Sequence, residues 1–478
     1  MRGRFWIMAA SAVVFAGCRT VDDVIVDYRG DVSSGRYAKA AEEPRKLAEK
    51  NNEDALLWHL MAATADYLSG DTASAVEGFD KAEDMMLAND RSSVFARGAA
   101  AAQAMMVNDR YFPYDGGGQD RIFACMYKAI GYAFAGDKSG ARTELNRAAE
   151  HQENWLYERR RDLAAAADRL DKVSTEYARE RSRGVDNSGQ SKLAVQNAVR
   201  DGTFRESVKE AFGVDIFKSS TLNDLKPIDY QNPYCAHLCG VFRWLAGDGG
   251  REYLKNAMEL RPGNAYVRRD FSSCSQGWKP HGQVWVYVED GLCPTREPWR
   301  IDLPLALIPY AGRYVKYAGI ALPRLLENPP AASSWTVDGR GMQVLADVDS
   351  LLKIEYDVYM RGAVKREVTR TIVDVGIQAA LGITAEHVND SNTQLALMAS
   401  QWLVAGYSAA RRGADTRCWP SLPKTVYVAR VPRPADGVVR ISGDGVNVAE
   451  VTVPEGNAIV FVRKPSAAAI PAVRTLSF

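Results

Sequence analysis

The spacing of apolar residues divides the chain into two regions of different periodicity. From about residue 21 to 272, apolar residues recur at i, i+3 and i+4, Ala is frequent, and Gly, Asp and Pro interrupt the pattern. This is the period of helices with one buried face. After Pro280, Val284, Val286 and Val288 alternate with other residues, which is typical of a strand. We therefore predict an all-α N-terminal region followed by an α+β C-terminal region.

Three short phrases in the helical region share one form. They are Leu68–Asp71, Phe134–Asp137 and Leu245–Asp248, and each closes one apolar helix and opens the next around a Gly-Asp pair. In the first two, matching small and apolar residues follow the glycine: Ala75, Phe79 and Ala82, and Ala141, Leu145 and Ala148. This pattern resembles the tetratricopeptide (TPR) helix–turn–helix repeat and predicts stacked helix pairs over residues 18–275. A non-repeating helical bundle with coincidental turns is the alternative.

The C-terminal region is predicted to be an α+β domain over residues 280–465. It is expected to contain strands over 283–322, helices over 345–411, an antiparallel β-meander over 425–463, and a tail over 466–478. Gly443–Gly445 and Pro454–Asn457 are the predicted turns of the meander. The helices are therefore inserted between two groups of strands.

Two apolar stretches within the predicted helices raise the question of a membrane span. Residues 371–383 and 393–409 are shorter than the ~20 residues that a spanning helix needs, and polar residues such as Asp374 interrupt them. We expect an inserted helical hairpin buried against the sheet. A hairpin that faces lipid or a partner is the alternative.

The first residues predict export and a lipid anchor. A short basic segment with Arg2 and Arg4 precedes the apolar stretch 5–14, which is the order and length of a secretory signal peptide over residues 1–17. Phe15-Ala16-Gly17-Cys18 resembles a bacterial lipobox, with Phe15 in place of the usual Leu, so the Cys18 thiolate is the predicted lipid-attachment site. An ordinary signal peptide cut elsewhere is the alternative. Arg19 follows Cys18, where an Asp would indicate retention in the inner membrane, so we predict an outer-membrane lipoprotein that faces the periplasm.

Composition excludes several classes of protein. The chain has 478 residues, of which 46% are apolar, and a formal net charge of +1. Those values are ordinary for a globular protein of several domains, so a wholly disordered chain or a collagen is excluded. A near-neutral chain does not bind nucleic acid through bulk charge, and we predict no nucleic-acid partner.

The cysteines beyond Cys18 give no recognisable metal site. They are Cys125, Cys235, Cys239, Cys274, Cys293 and Cys418, an even number that permits disulfides in an oxidising compartment without fixing their pairing. Cys235 and Cys239 share one helix face, whereas His237 between them points elsewhere. The three side chains therefore cannot converge on one ion, and buried apolar thiols are the simpler interpretation.

The search for catalytic chemistry finds no recognisable motif. The chain lacks His-Glu-x-x-His, a Gly-x-Ser-x-Gly elbow and a dinucleotide fingerprint after a strand. We therefore predict no catalytic, cofactor-binding or metal-binding residues, no cofactor and no enzymatic activity.

Several segments together resemble an uncharacterised family of bacterial TPR-like lipoproteins. They are 220–224, 230–234, 282–294, 300–304 and, most specifically, 414–423. The resemblance implies a helical-repeat region joined to a C-terminal domain that contains β-structure. It also hints at a role in envelope or peptidoglycan-synthesis assembly, without assigning a catalytic role to any residue.

Within the last of these segments, Asp415, Arg417 and Trp419 are the candidate site residues. One interpretation is a peptide-docking patch at the junction of the helical region and the sheet. The other is structural: Asp415 and Arg417 pair, and Trp419 fills the core where a helix gives way to a strand.

The sequence therefore predicts a cell-envelope lipoprotein that acts as a protein-binding scaffold. Its expected partners are envelope proteins or peptides, and its contact with the membrane is through Cys18. A structural component of a surface assembly and, less favoured, an envelope hydrolase acting through paired carboxylates are the alternatives.

Overall fold

The structure is a computed structural model that describes part of the chain. The described residues are 20–50, 52–96, 110, 113–155, 202–212, 227–304, 317–360, 363–364, 367 and 413–478. The predicted signal peptide 1–17, the predicted lipid site Cys18 and the predicted hairpin stretches 371–383 and 393–409 lie outside them.

The N-terminal region is helical, as predicted. Its helices are α1 (Val21–Ser33), α2 (Tyr37–Ala48), α3 (Ala55–Ser69), α4 (Thr72–Ala96), α5 (Gly118–Phe134), α6 (138–155), α7 (Gly202–Phe212), α8 (Pro227–Tyr230), α9 (Pro233–Ala246), α10 (Arg251–Leu260) and α11 (Ala265–Ser275). A capping box of Thr20 and Asp23 fixes the start of α1. Consecutive helices pack against each other, α1 on α2, α2 on α3, α3 on α4 and α4 on α5.

The three predicted Gly-Asp turns each join two helices. They connect α3 to α4, α5 to α6 and α9 to α10, and Gly70, Gly136 and Gly247 all have positive φ angles of 79° to 104°. Glycine adopts this left-handed conformation without the steric cost that a Cβ brings. The small and apolar residues that follow the first two turns are buried, with at most 2% of each exposed. The sequence pattern therefore marks real helix–turn–helix units.

The described part of the C-terminal region contains three sheets. Its strands are β1 (Gln283–Asp290), β2 (Thr295–Pro304), β3 (Tyr317–Leu326), β4 (Trp335–Val337), β5 (Arg340–Gly341), β6 (Gln343–Asp347), β7 (Thr425–Pro432), β8 (Val438–Gly443), β9 (Val446–Thr452), β10 (Ala458–Lys464) and β11 (Ala472–Ser477). A helix over 348–360, here α12, follows β6. The strand orders are β11-β10-β1-β7-β6, β2-β3 and β5-β4-β8-β9. The first sheet is mixed, because β1 and β10 are parallel while its other pairs are antiparallel.

Three C-terminal expectations are wrong in detail. β7 to β10 do not form a meander over 425–463: only β8 and β9 pair as a hairpin, whereas β7 and β10 flank β1 on either side. The predicted tail 466–478 contains β11, which pairs with β10. The predicted helical segment begins with β6, and its helix starts at residue 348. β7 and β10 both pair with β1, which is distant in sequence, so the local spacing of apolar residues could not identify that pairing. β11 pairs with its sequence neighbour β10.

The five-stranded sheet lies between the helices and the four-stranded sheet. On β1, Trp285 and Tyr287 belong to a core shared with the helical region. The alternating residues Val284, Val286 and Val288 pack in a second core with residues of β4, β8 and β9. Both faces of the central sheet are therefore buried, and the helical and β regions share one of their cores.

Candidate functional site

The predicted residues Asp415 and Arg417 form a buried ion pair. Arg417 Nε and Nη2 donate to the two carboxylate oxygens of Asp415 at 2.8 and 3.0 Å, and Nη1 donates to Asp54 Oδ1 at 3.0 Å. Asp54 immediately precedes α3, so the arginine joins the 413–422 segment to the helical region. Burial raises the pKa of Asp415, but the hydrogen bonds and charge of Arg417 outweigh it, and the resulting pKa lies below the usual value.

Trp419 is also inside the molecule. Its Nε1 donates to Thr64 Oγ1 at 3.1 Å, and its ring centroid lies 6.0 Å from that of Phe79 and 6.3 Å from that of Tyr127. Only 2% of Trp419 and 2% of Arg417 are exposed. A docking patch requires accessible side chains, so the structure corrects that interpretation and favours the structural one. These residues attach the C-terminal segment to α3, α4 and α5.

A second buried cluster surrounds Glu289 of β1. The hydroxyls of Tyr127 and Tyr234 each donate to one of its carboxylate oxygens at 3.0 Å, and Arg463 Nε lies 3.7 Å from Oε2. Burial raises the pKa of Glu289, against the lowering effect of Arg463 and the two hydroxyls. The cluster links α5 and α9 to β1 and β10.

A third cluster contains a His–Asp pair. His237 Nε2 lies 3.0 Å from Asp270 Oδ2, and its Nδ1 lies 2.8 Å from the Tyr287 hydroxyl. Asp270 also accepts from Trp285 Nε1 at 2.9 Å and from Arg430 Nη1 at 2.6 Å. A His–Asp pair is the usual orienting part of a catalytic triad. Here His237, Asp270 and Tyr287 are fully buried, so the pair connects α9 and α11 to the sheet and presents no group to a substrate.

Glu83, Cys125 and Glu144 place three potential metal-ligand atoms within 4.8 Å of one another. The Lys128 ammonium already lies among them, 2.7 Å from Asp80 and 3.1 Å from Glu144, and it also contacts Glu83. Burial raises the pKa of the Cys125 thiol, whereas a metal needs the thiolate. The chain's own cation therefore occupies the position that a metal would take. The donor set does not fit a metal ion.

The six described cysteines are all free thiols. Cys235 and Cys239 are fully buried, and Cys239 Sγ donates to the Leu145 carbonyl oxygen of α6 at 3.3 Å. His237 lies on the opposite side of α9, against β1. The prediction of buried thiols on one helix face is confirmed for this pair.

The accessible candidate is a groove between α6 and α10, with α9 beneath it. Its volume is about 630 Å³, within the range of binding pockets. Small residues, Ala149, Cys235 and Ala236, contribute to its floor. Tyr253 stands in one wall, with its ring under the Arg243 guanidinium at 5.1 Å and its hydroxyl 3.3 Å from Asn146 Oδ1.

The ionised side chains of this groove are mostly acidic. Glu150 and Glu153 lie on the α6 wall, and Glu252 and Glu259 lie on the α10 wall. Lys255 is the one basic side chain among the described lining residues, 3.8 Å from Glu259. The groove therefore has a carboxylate rim on both sides and an excess of negative charge.

Sequence reasoning did not single out the groove residues. Glu150 and Glu153 stand three residues apart on an exposed helix face, which is an ordinary solvent-facing pattern. Glu150 and Glu153 line a groove only because α10 lies opposite α6, and the sequence does not show how these two helices pack in the tertiary structure. The one available signal was the pair of Gly-Asp turns that precede α6 and α10, since each turn marks the start of a helix that packs on its predecessor.

Among the described residues, none of the helices combines the length and hydropathy needed to cross a bilayer. Comparisons with protein-family models, with curated proteins and with solved structures find no match to this chain.

Proposed function

We propose that the protein is a lipid-anchored scaffold of the cell envelope that binds another protein in the groove between α6 and α10. The observation that carries the proposal is the groove itself: an open, polar channel between helix–turn–helix units. The buried clusters around Asp415, Glu289 and His237 hold the layers together, whereas Glu150, Glu153, Glu252 and Glu259 of the groove are exposed. A surface of this kind binds without a cofactor.

The helical units support a TPR-like array as the framework of the groove. α3–α4, α5–α6 and α9–α10 each turn at a Gly-Asp pair, and the first two share the register of buried small residues. Close approach within a pair is visible at Gly78, where a Cβ would lie 2.8 Å from the Cβ of Ala63. Arrays of such pairs present extended surfaces to peptide segments.

Photo-crosslinking in cells tests the scaffold. A photoreactive residue replaces Asn256, which lines the groove, and in a matched variant it replaces Lys46, which is exposed on α2. We expect a discrete higher-mass product of one partner from position 256 and none from position 46. The same products from both positions, or from neither, would contradict the proposal.

The anchor is tested separately with Cys18→Ser. We expect the native chain to partition into the membrane fraction and to incorporate labelled fatty acid, and the variant to lose both properties. Cys274→Ser is the control, because Cys274 is a half-buried cysteine of α11, distant in sequence from the predicted lipid site, and its loss should not affect either readout. A Cys18→Ser variant that kept its label would refute lipidation at this residue.

A further inference from the structure

We infer that the groove between α6 and α10 takes an extended, basic segment of its partner, with Lys or Arg side chains reaching both walls. This rests on the proposed function and names the chemistry of the bound segment. The lining residues include four carboxylates and a single ammonium group.

The carboxylates differ in how far they are already neutralised. Glu252 lies 2.8 Å from Arg251, and Glu259 lies 3.8 Å from Lys255. Glu150 and Glu153 are exposed and have no ion pair among the described residues. A cationic side chain that enters the groove therefore meets two uncompensated carboxylates on the α6 wall and does not have to break an existing pair.

The geometry favours a chain with cations on alternate sides. One pair of carboxylates lies on the α6 wall and the other on the α10 wall, and the same lining includes Ala149, Ala236 and Cys235, whose side chains are small. Side chains of an extended segment alternate in direction, so successive basic residues reach opposite walls. Gln231 and Asn256 are half-buried in the same channel, and their side-chain amides can pair with a peptide backbone.

The electrostatic attraction between the exposed groove carboxylates and a basic segment extends over about 10 Å at 0.1 M salt, and it is screened at higher salt. Each exposed ion pair contributes little binding energy, so the basic segment binds through several weak contacts. The attraction also speeds encounter of the partner with the groove.

The experiment uses the full chain in detergent micelles and a fluorescent 12-residue peptide, (Lys-Ala-Ser)4, followed by fluorescence anisotropy. We expect saturable binding that weakens as salt rises from 50 to 300 mM, and no binding of (Glu-Ala-Ser)4. The double variant Glu150→Gln/Glu153→Gln should bind the basic peptide ~3- to 10-fold more weakly. Glu42→Gln/Glu49→Gln removes the same charge from exposed positions at α2 and should bind as the native chain does.

Equal losses in the two double variants would show that only net charge matters and would overturn the inference. Absence of binding to the native chain would do the same. If either of these results is found while position 256 still crosslinks a partner in cells, the scaffold proposal is retained and the proposal of a basic ligand is rejected. If the crosslink is also missing, the groove has no ligand and both proposals fall.

Discussion

Asp290 is a buried residue that links the five-stranded sheet to the four-stranded sheet and makes the stability of the protein depend on pH. Its Oδ1 accepts hydrogen bonds from Ala331 N, Ala332 N and Trp335 Nε1 at 3.1 to 3.2 Å. Its Oδ2 is buried without a hydrogen-bond partner among the described residues. Burial raises the pKa of Asp290 to about 6, although these hydrogen bonds oppose the shift.

A raised pKa predicts that stability falls as the pH rises. The folded state holds the Asp290 proton more tightly than the unfolded state, whose pKa is ~3.9. The stabilisation by this proton is complete below about pH 4 and is lost by about pH 6. Two pH units at ~1.4 kcal/mol each give a loss of roughly 2–3 kcal/mol.

We expect Asp290→Asn to reduce this slope, because an amide keeps the acceptor oxygen and carries no charge. Urea unfolding at pH 4, 5, 6 and 7 measures it, with the exposed Asp84→Asn as the control. Asp349, whose pKa burial also raises to about 6, keeps part of the slope in both variants. An undiminished slope in Asp290→Asn would show that Asp290 does not carry the effect.

At the scale of the element, the close packing of α9 against α10 depends on glycine. A Cβ on Gly240 would lie 2.6 Å from Leu254 Cγ and 2.9 Å from its backbone nitrogen. Side-chain rotation cannot relieve the backbone contact, so the two helices must separate. These helices carry the floor and one wall of the groove, and the packing therefore also positions the candidate site.

We expect Gly240→Ala to lower the free energy of unfolding by about 1–3 kcal/mol through overpacking. Gly30→Ala is the matched control, because Gly30 is also helical but has no atom within 4 Å of an added Cβ. The control should gain about 0.5–1 kcal/mol from helix propensity. Chemical denaturation of both variants gives the comparison, and a stabilised Gly240→Ala would contradict the proposed packing.

Some structural elements could be predicted from the sequence alone. The Gly-Asp turns and the β8–β9 hairpin are short-range features. Gly443-Asp444-Gly445 predicts the hairpin because Asp and Gly favour the positive φ angles of a two-residue turn. In the structure, Asp444 and Gly445 both have positive φ angles. The pairing of β10 with β1 was not predictable, because the residues of a strand do not indicate which distant strand will pair with it. The same holds for Arg417, which meets Asp415 as expected but also meets Asp54 from the other region.

At the scale of the whole molecule, the helices and the central sheet share one hydrophobic core. Trp419, Tyr127 and Tyr287 belong to a single core cluster that spans α3 to α5, α9 and the five-stranded sheet. Charged side chains cross the same boundary at Asp415 and Glu289. The two predicted regions should therefore unfold together, not as independent domains.

We expect Trp419→Ala to lower the free energy of unfolding by about 3–5 kcal/mol, because it leaves a cavity in the shared core. Far-ultraviolet circular dichroism follows the helices and near-ultraviolet dichroism follows the aromatic core during denaturation. Both transitions should shift together. Trp278→Ala, at a position that is 40% exposed, should shift them less, and separated transitions in the native chain would refute a common core.

The position of β10 has a consequence for biogenesis. Because β10 lies beside β1 inside the sheet, the β1–β10 ladder forms only after the long segment between these two strands has been synthesised. Until then, the valines and aromatic rings of β1 lack one of their two neighbours, and a nascent polypeptide remains incompletely folded during translation. Strand β1 therefore reaches its fully paired state only when β10 has been made.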